Sequence, residues 1–73
     1  MAETTDELKK LVTIATDVEL TADLRTNAIK QMGRIGSHDA LRALLDLAAN
    51  DKLNKSEREL ALKQARDIIR SSR

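Results

Sequence analysis

Few residues in this chain could carry out catalysis or hold a metal. His38 is the single histidine and cysteine is absent, so the usual ligands of a zinc site and the usual partners of a nucleophile are missing. Twelve carboxylates are scattered over helix starts and loops, where Asp6 and Asp39 suit the helix dipole. The segment from Gly33 to Gly36 follows no strand and closes a helix, unlike a phosphate-binding loop. The sequence therefore predicts a protein that is not an enzyme and needs no cofactor or metal.

Basic residues offer a second kind of candidate site. On a helical wheel, one face of two predicted helices carries Thr26, Lys30, Arg34, Lys63, Arg66 and Arg70. Such a face can be merely solvated, or it can bind an acidic protein segment or a nucleic-acid backbone. The chain has 13 Lys and Arg against 12 Asp and Glu, a balance too even to indicate nucleic-acid binding by composition. Because aromatic residues are absent, base stacking is also disfavoured. We therefore expect a protein partner before a nucleic acid.

Four amphipathic helices must position these residues. Apolar spacings of three and four predict helices over 6–17, 22–35, 38–49 and 56–69. Gly36 suits a left-handed helix end and Ser37 an N-cap. Two capping boxes are predicted, at Thr4-x-x-Glu7 and Ser56-x-x-Glu59. Because β-branched runs are scarce, the predicted class is all-α, in one domain over 1–73.

The chain also aligns with itself. Residues 6–36 match 39–69 without a gap at an offset of 33, and ten of the 31 pairs are identical. Polar identities such as Arg25/Arg58 and Gln31/Gln64 are not explained by amphipathic patterning alone. The alignment predicts two repeats, each an antiparallel helix pair, stacked as a minimal α-solenoid.

The first repeat resembles a known family. Part of it is similar to the HEAT-repeat signature Val-Arg-x-x-Ala-x-x-x-Leu-Gly-x-Ile-Gly. The matching segment is Leu24-Arg25-x-x-Ala28-x-x-x-Met32-Gly33-x-Ile35-Gly36. It is most similar to the short HEAT-like repeats of phycobilin lyases. The second repeat departs from this pattern, with Glu57 before Arg58 and with Arg66 and Ile69 in place of the two glycines. Armadillo-like and plain four-helix-bundle packing are the alternatives.

The resemblance implies a scaffold that binds protein, sometimes nucleic acid, through the surface lined by the second helix of each repeat. It also implies that Arg25 and Arg58 are structural and tie repeats together through loop acids, with Asp17, Glu19 or Asp51 as partners. An accessory of a tetrapyrrole lyase is a third reading, which rests on the resemblance alone.

The predicted core includes Leu11, Ala28, Leu44 and Ala61, and outward-facing apolar residues such as Leu60 and Ile69 are expected to stay partly bare. A symmetric homodimer is the first-ranked way to cover them, followed by docking onto a larger protein. No apolar run is long enough to cross a membrane and no signal peptide is recognisable. We therefore expect a cytoplasmic protein that does not contact membranes.

Overall fold

The computed structural model describes residues 2–71, and their side chains from residue 6 onward. Within that range the chain is all-helical and contains no strand. It forms α1 (Ala2–Thr16), α2 (Ala22–Ile35), α3 (His38–Ala48) and α4 (Lys55–Ser71). The all-α class and the number of helices predicted from the sequence are confirmed. No helix in this range is long and apolar enough to span a bilayer.

Each helix boundary has a local chemical cause. Thr21 caps α2 by accepting a hydrogen bond from the Leu24 N–H at 3.3 Å, and Ser37 caps α3 by accepting from the Ala40 N–H at 3.1 Å. Between them Gly36 adopts φ 65°, which is left-handed, and donates its N–H to the Met32 carbonyl. The predicted roles of Gly36 and Ser37 are therefore confirmed.

Two predicted helix starts are wrong. Helix α1 begins at Ala2, so Thr4 of the predicted capping box lies inside the helix, and its side chain falls outside the part of the chain whose side chains are described. Helix α4 begins at Lys55, before the predicted Ser56. Its capping box is formed by Asn54, whose Oδ1 accepts from the Glu57 N–H at 2.8 Å, and Glu57, whose Oε1 accepts from the Asn54 N–H at 3.3 Å.

The helices pack as two pairs. Helix α1 packs chiefly on α2 and α3 chiefly on α4, and α2 joins the pairs by packing on α4. The shared core consists of small and aliphatic side chains: Leu8, Ala15, Ala28, Ile29, Met32, Ala40, Leu44, Leu47, Leu53, Ala61, Ala65 and Ile68. We call α1 with α2 the first helix pair and α3 with α4 the second helix pair.

The alanines of this core have a steric role. Ala28 and Ala61 are buried as predicted, and small side chains let helix backbones approach closely. Gly33 lies at the contact between the pairs, because a Cβ added there would overlap the side-chain amide of Gln64 on α4.

The burial of some apolar residues differs from the prediction in degree. Leu11 is only partly buried, although it packs against the core. Leu24 and Leu45 belong to the apolar residues whose spacings of three and four predict α2 and α3, but they are 48% and 43% exposed. Leu60 and Ile69 were expected to stay partly bare. Leu60 is partly buried and packs against the core, and Ile69 is 49% exposed.

Candidate protein-interaction surface

Arg25 connects the two helix pairs. It lies in the first turns of α2, and its Nε donates to Oε2 of Glu57 on α4 at 2.8 Å. The side chains of Arg25 and Glu57 are only 13% and 3% exposed. The same guanidinium donates from Nη1 to the Leu20 carbonyl at 2.5 Å and to the Val18 carbonyl at 3.4 Å in the α1–α2 loop. One side chain therefore links α2, the preceding loop and the start of α4.

The partner of Arg25 differs from the sequence prediction. The expected loop carboxylates of Asp17 and Glu19 do not pair with it; Asp17 offers only its backbone carbonyl, at 3.5 Å from Nη1. The acid is Glu57, 32 residues away in the chain. Glu57 stands three residues after the N-cap Asn54. This capping-box spacing was the only signal in the sequence that singled Glu57 out.

Arg58 stands 33 residues after Arg25 but has different surroundings. Its Nη1 lies 4.0 Å from Oδ1 of Asp51, a carboxylate that is fully exposed. Its Nε is shielded from solvent and has no hydrogen-bond acceptor among the residues described. Arg58 therefore keeps one N–H unsatisfied, where Arg25 has a buried carboxylate.

The basic residues of the predicted partner-binding face border different surface depressions. Lys63, Arg66 and Arg70 line a shallow depression of ≈ 580 Å³ on α4, together with Leu62 and two acids, Glu59 and Asp67. Arg34 borders a separate depression beside Gly36 and Ser71. Lys30 is exposed and Thr26 half-buried, and neither lines these two depressions. Acids and bases are thus interleaved where the basic residues are closest together.

An apolar surface lies at the outer side of the second helix pair. Leu62 is 42% exposed and lines a depression of ≈ 290 Å³ together with Ala48 and three charged residues, Lys55, Arg58 and Glu59. Leu45 lies one helical turn before Ala48 on α3, on the same side of that helix. We call Leu45, Ala48, Arg58 and Leu62 the end patch. It joins exposed aliphatic side chains to an arginine with an unsatisfied N–H.

The single histidine of the chain and its carboxylates are the remaining candidates for metal binding. His38 is exposed at the first position of α3. No group of three or more histidine, aspartate or glutamate residues in the range 2–71 is arranged to hold a metal ion. Comparison with protein-family models, with curated proteins and with solved structures finds no match to this chain. Its function must be inferred from its own contacts and charges.

Proposed function

We propose that this chain is a small, non-catalytic, HEAT-like interaction module of two stacked repeats, over 6–36 and 39–69, that binds another protein in the cytoplasm. The helices pack extensively within each pair, and the two pairs contact each other through α2 and α4. This packing supports the proposal of two stacked repeats. In a solenoid each repeat covers one face of its neighbour, so the last repeat presents the same face uncovered.

The observation that carries the proposal is a difference in burial between residues 33 positions apart. Ile29 on α2 is fully buried, whereas Leu62 on α4 is 42% exposed. Ala15 on α1 is fully buried, whereas Ala48 on α3 is only partly buried. Two buried apolar residues of the first helix pair therefore have apolar counterparts in the end patch that are exposed or only partly buried.

This exposure favours protein binding for a physical reason. Contiguous exposed aliphatic side chains beside a polar rim are typical of protein interfaces. The nucleic-acid alternative has weaker support, because Lys63, Arg66 and Arg70 share their depression with Glu59 and Asp67. Those two acids would repel a phosphate backbone that contacts the same surface.

Site-specific photo-crosslinking in the producing cell tests this function. A photoreactive residue would replace Leu62 in the end patch, and in a matched control it would replace Thr13, which is exposed on α1. We expect a discrete protein adduct from position 62 that is absent from position 13. An adduct with the mass of two chains would identify the partner as a second copy. Equal labelling from both positions, or none from position 62, would contradict the proposal.

A further inference from the structure

Helix α4 carries charges of both signs on its outer side. Two acids and three bases line one depression on this helix: Glu59, Asp67, Lys63, Arg66 and Arg70. All five side chains are exposed. A surface of one sign would repel its own copy, whereas a surface that interleaves acids and bases can pair with itself. The charges of α4 are therefore compatible with a second copy of this chain.

Leu62 joins this charged row to the end patch. It lines the depression on α4 and also the depression that contains Ala48 and Arg58, and Glu59 lines both as well. Glu59 stands three residues before Leu62 and Arg66 four residues after it. The three side chains therefore lie within about 60° of one another on a helical wheel. An exposed leucine is thus flanked, along one helix face, by an acid on one side and a base on the other.

The spacing of Glu59 and Arg66 suits a two-fold axis. In a contact related by such an axis, residue i of one copy faces residue j of the other, and j faces i. Two antiparallel α4 helices whose axis passes beside Leu62 therefore bring each Glu59 opposite Arg66 of the second copy. The two Leu62 side chains then lie next to the axis, between two symmetric ion pairs. Within one chain the two charges are about 10 Å apart along the helix, beyond the i+3 and i+4 spacings at which helical side chains pair.

Head-to-tail stacking of copies is disfavoured by the same helix. In the chain, Gln64 of α4 lies against Gly33 of α2, where an added Cβ would overlap the amide of Gln64. Arg66 stands 33 positions after Gly33, on the face that a next copy in the stack would cover. Its exposed side chain would fill the space that the glycine leaves open. A two-fold contact uses Arg66 as an ion-pair partner instead, and it closes at two copies.

We infer that two copies of this chain associate through α4 in an antiparallel, two-fold symmetric contact. Leu62 lies at the axis, and Glu59 of each copy pairs with Arg66 of the other. This inference rests on the proposed function, because it takes the end patch with the adjoining face of α4 as the interaction surface. It adds the identity of the partner, which is a second copy, and the residues that face each other.

Sedimentation equilibrium over a wide range of concentration tests the association. We expect the natural chain to pass from the mass of one chain to the mass of two, and not beyond. Glu59→Lys places like charges opposite each other at both symmetric positions, and so does Arg66→Glu. Each variant alone should therefore have a dissociation constant at least about tenfold higher than that of the natural chain.

Exchange of the two charges is the decisive measurement. In an equimolar mixture of Glu59→Lys and Arg66→Glu chains, both contacts of a mixed dimer again join an acid to a base. The mixture should therefore dimerise at concentrations at which neither variant does so alone. A double variant that carries both substitutions should likewise regain dimerisation by itself.

Asp23 and Lys30 provide a matched control. They too are an acid and a base seven residues apart with exposed side chains, but they lie on α2. Asp23→Lys and Lys30→Glu make the same changes in net charge and should leave dimerisation nearly unchanged. Far-UV circular dichroism would verify that each variant retains its helical content. Glu59→Gln and Arg66→Gln, which only remove a charge, give the same comparison if a reversal variant loses its helices.

The outcomes separate this inference from the proposed function. The inference is overturned if the natural chain stays monomeric at the highest concentration, or if changes at Glu59 and Arg66 act no more strongly than the controls on α2. It is also overturned if the mixture and the double variant stay as weak as the single variants, because the two residues then do not face each other. A monomeric chain that still gives an adduct with another protein from position 62 keeps the proposed function and loses only this inference. If position 62 gives no adduct in the cell, the proposed function fails whatever the sedimentation result.

Discussion

Removal of Arg25 should be one of the most damaging single changes in this chain. In an Arg25→Met variant, the 97% buried Glu57 carboxylate loses its ion-pair partner and keeps only the Asn54 N–H. Breaking a buried pair from one side typically costs about 3–5 kcal/mol, because a charge remains in a poorly solvated place. Chains of 73 residues have a free energy of unfolding of about 4–11 kcal/mol. Arg25→Met should therefore remove a large fraction of the stability.

A graded series keeps this prediction testable if Arg25→Met does not fold. Glu57→Gln retains the side-chain shape and an oxygen acceptor, so it should cost less, about 1–2 kcal/mol. Arg58→Met is the matched control, because Arg58 makes only a 4.0 Å contact with an exposed acid. It should change the free energy of unfolding by less than about 0.5 kcal/mol in either direction.

Urea denaturation followed by far-UV circular dichroism would measure all three variants. The expected order of destabilisation is Arg25→Met, then Glu57→Gln, then Arg58→Met. If Arg25→Met is no more destabilising than Arg58→Met, the contact between Arg25 and Glu57 does not hold the two helix pairs together. A double variant, Arg25→Met with Glu57→Leu, should recover part of the loss, because no charge is left buried.

Three further predictions concern the core and the helix ends. Leu44→Ala should cost about 2–5 kcal/mol because Leu44 is fully buried, whereas Leu45→Ala should cost far less. Equal urea midpoints for the two variants would mean that Leu44 is not on the buried side of α3. Gly36→Ala should cost about 1–2 kcal/mol because φ is 65° there, and an unchanged melting temperature would mean that α2 does not end in a left-handed residue. Asn54→Ala should cost about 1 kcal/mol through loss of the α4 cap, while Ser56→Ala should be nearly neutral. If Ser56→Ala lowers the melting temperature more than Asn54→Ala does, Ser56 is the cap, as the sequence predicted.

The helices were predictable because their signals are local. Gly36 and Ser37 are adjacent in the chain, and each needs only its own backbone conformation to end or begin a helix. The start of α4 could not be predicted from local signals, because Asn54-x-x-Glu57 and Ser56-x-x-Glu59 fit the same capping pattern. Burial of Glu57 against Arg25 distinguishes them, and that is a contact between distant residues.

The candidate surface was predictable only in kind. Periodicity identifies which side of a helix is apolar, but it does not say how much of that side a neighbouring helix covers. Leu24 and Leu45 fit the apolar periodicity of their helices and are nevertheless exposed. The end patch became recognisable only when Leu62 could be compared with the buried Ile29.

The contacts of Arg25 also bear on how the chain folds. Its guanidinium holds the carbonyls of the α1–α2 loop while its Nε needs the carboxylate of α4. A first helix pair without α4 would leave that N–H without its carboxylate acceptor. Ordering of the α1–α2 loop is thus thermodynamically coupled to the packing of α4 against α2. The two halves should therefore unfold together in one cooperative transition, with amide hydrogens of α2 and α4 exchanging at the same opening free energy.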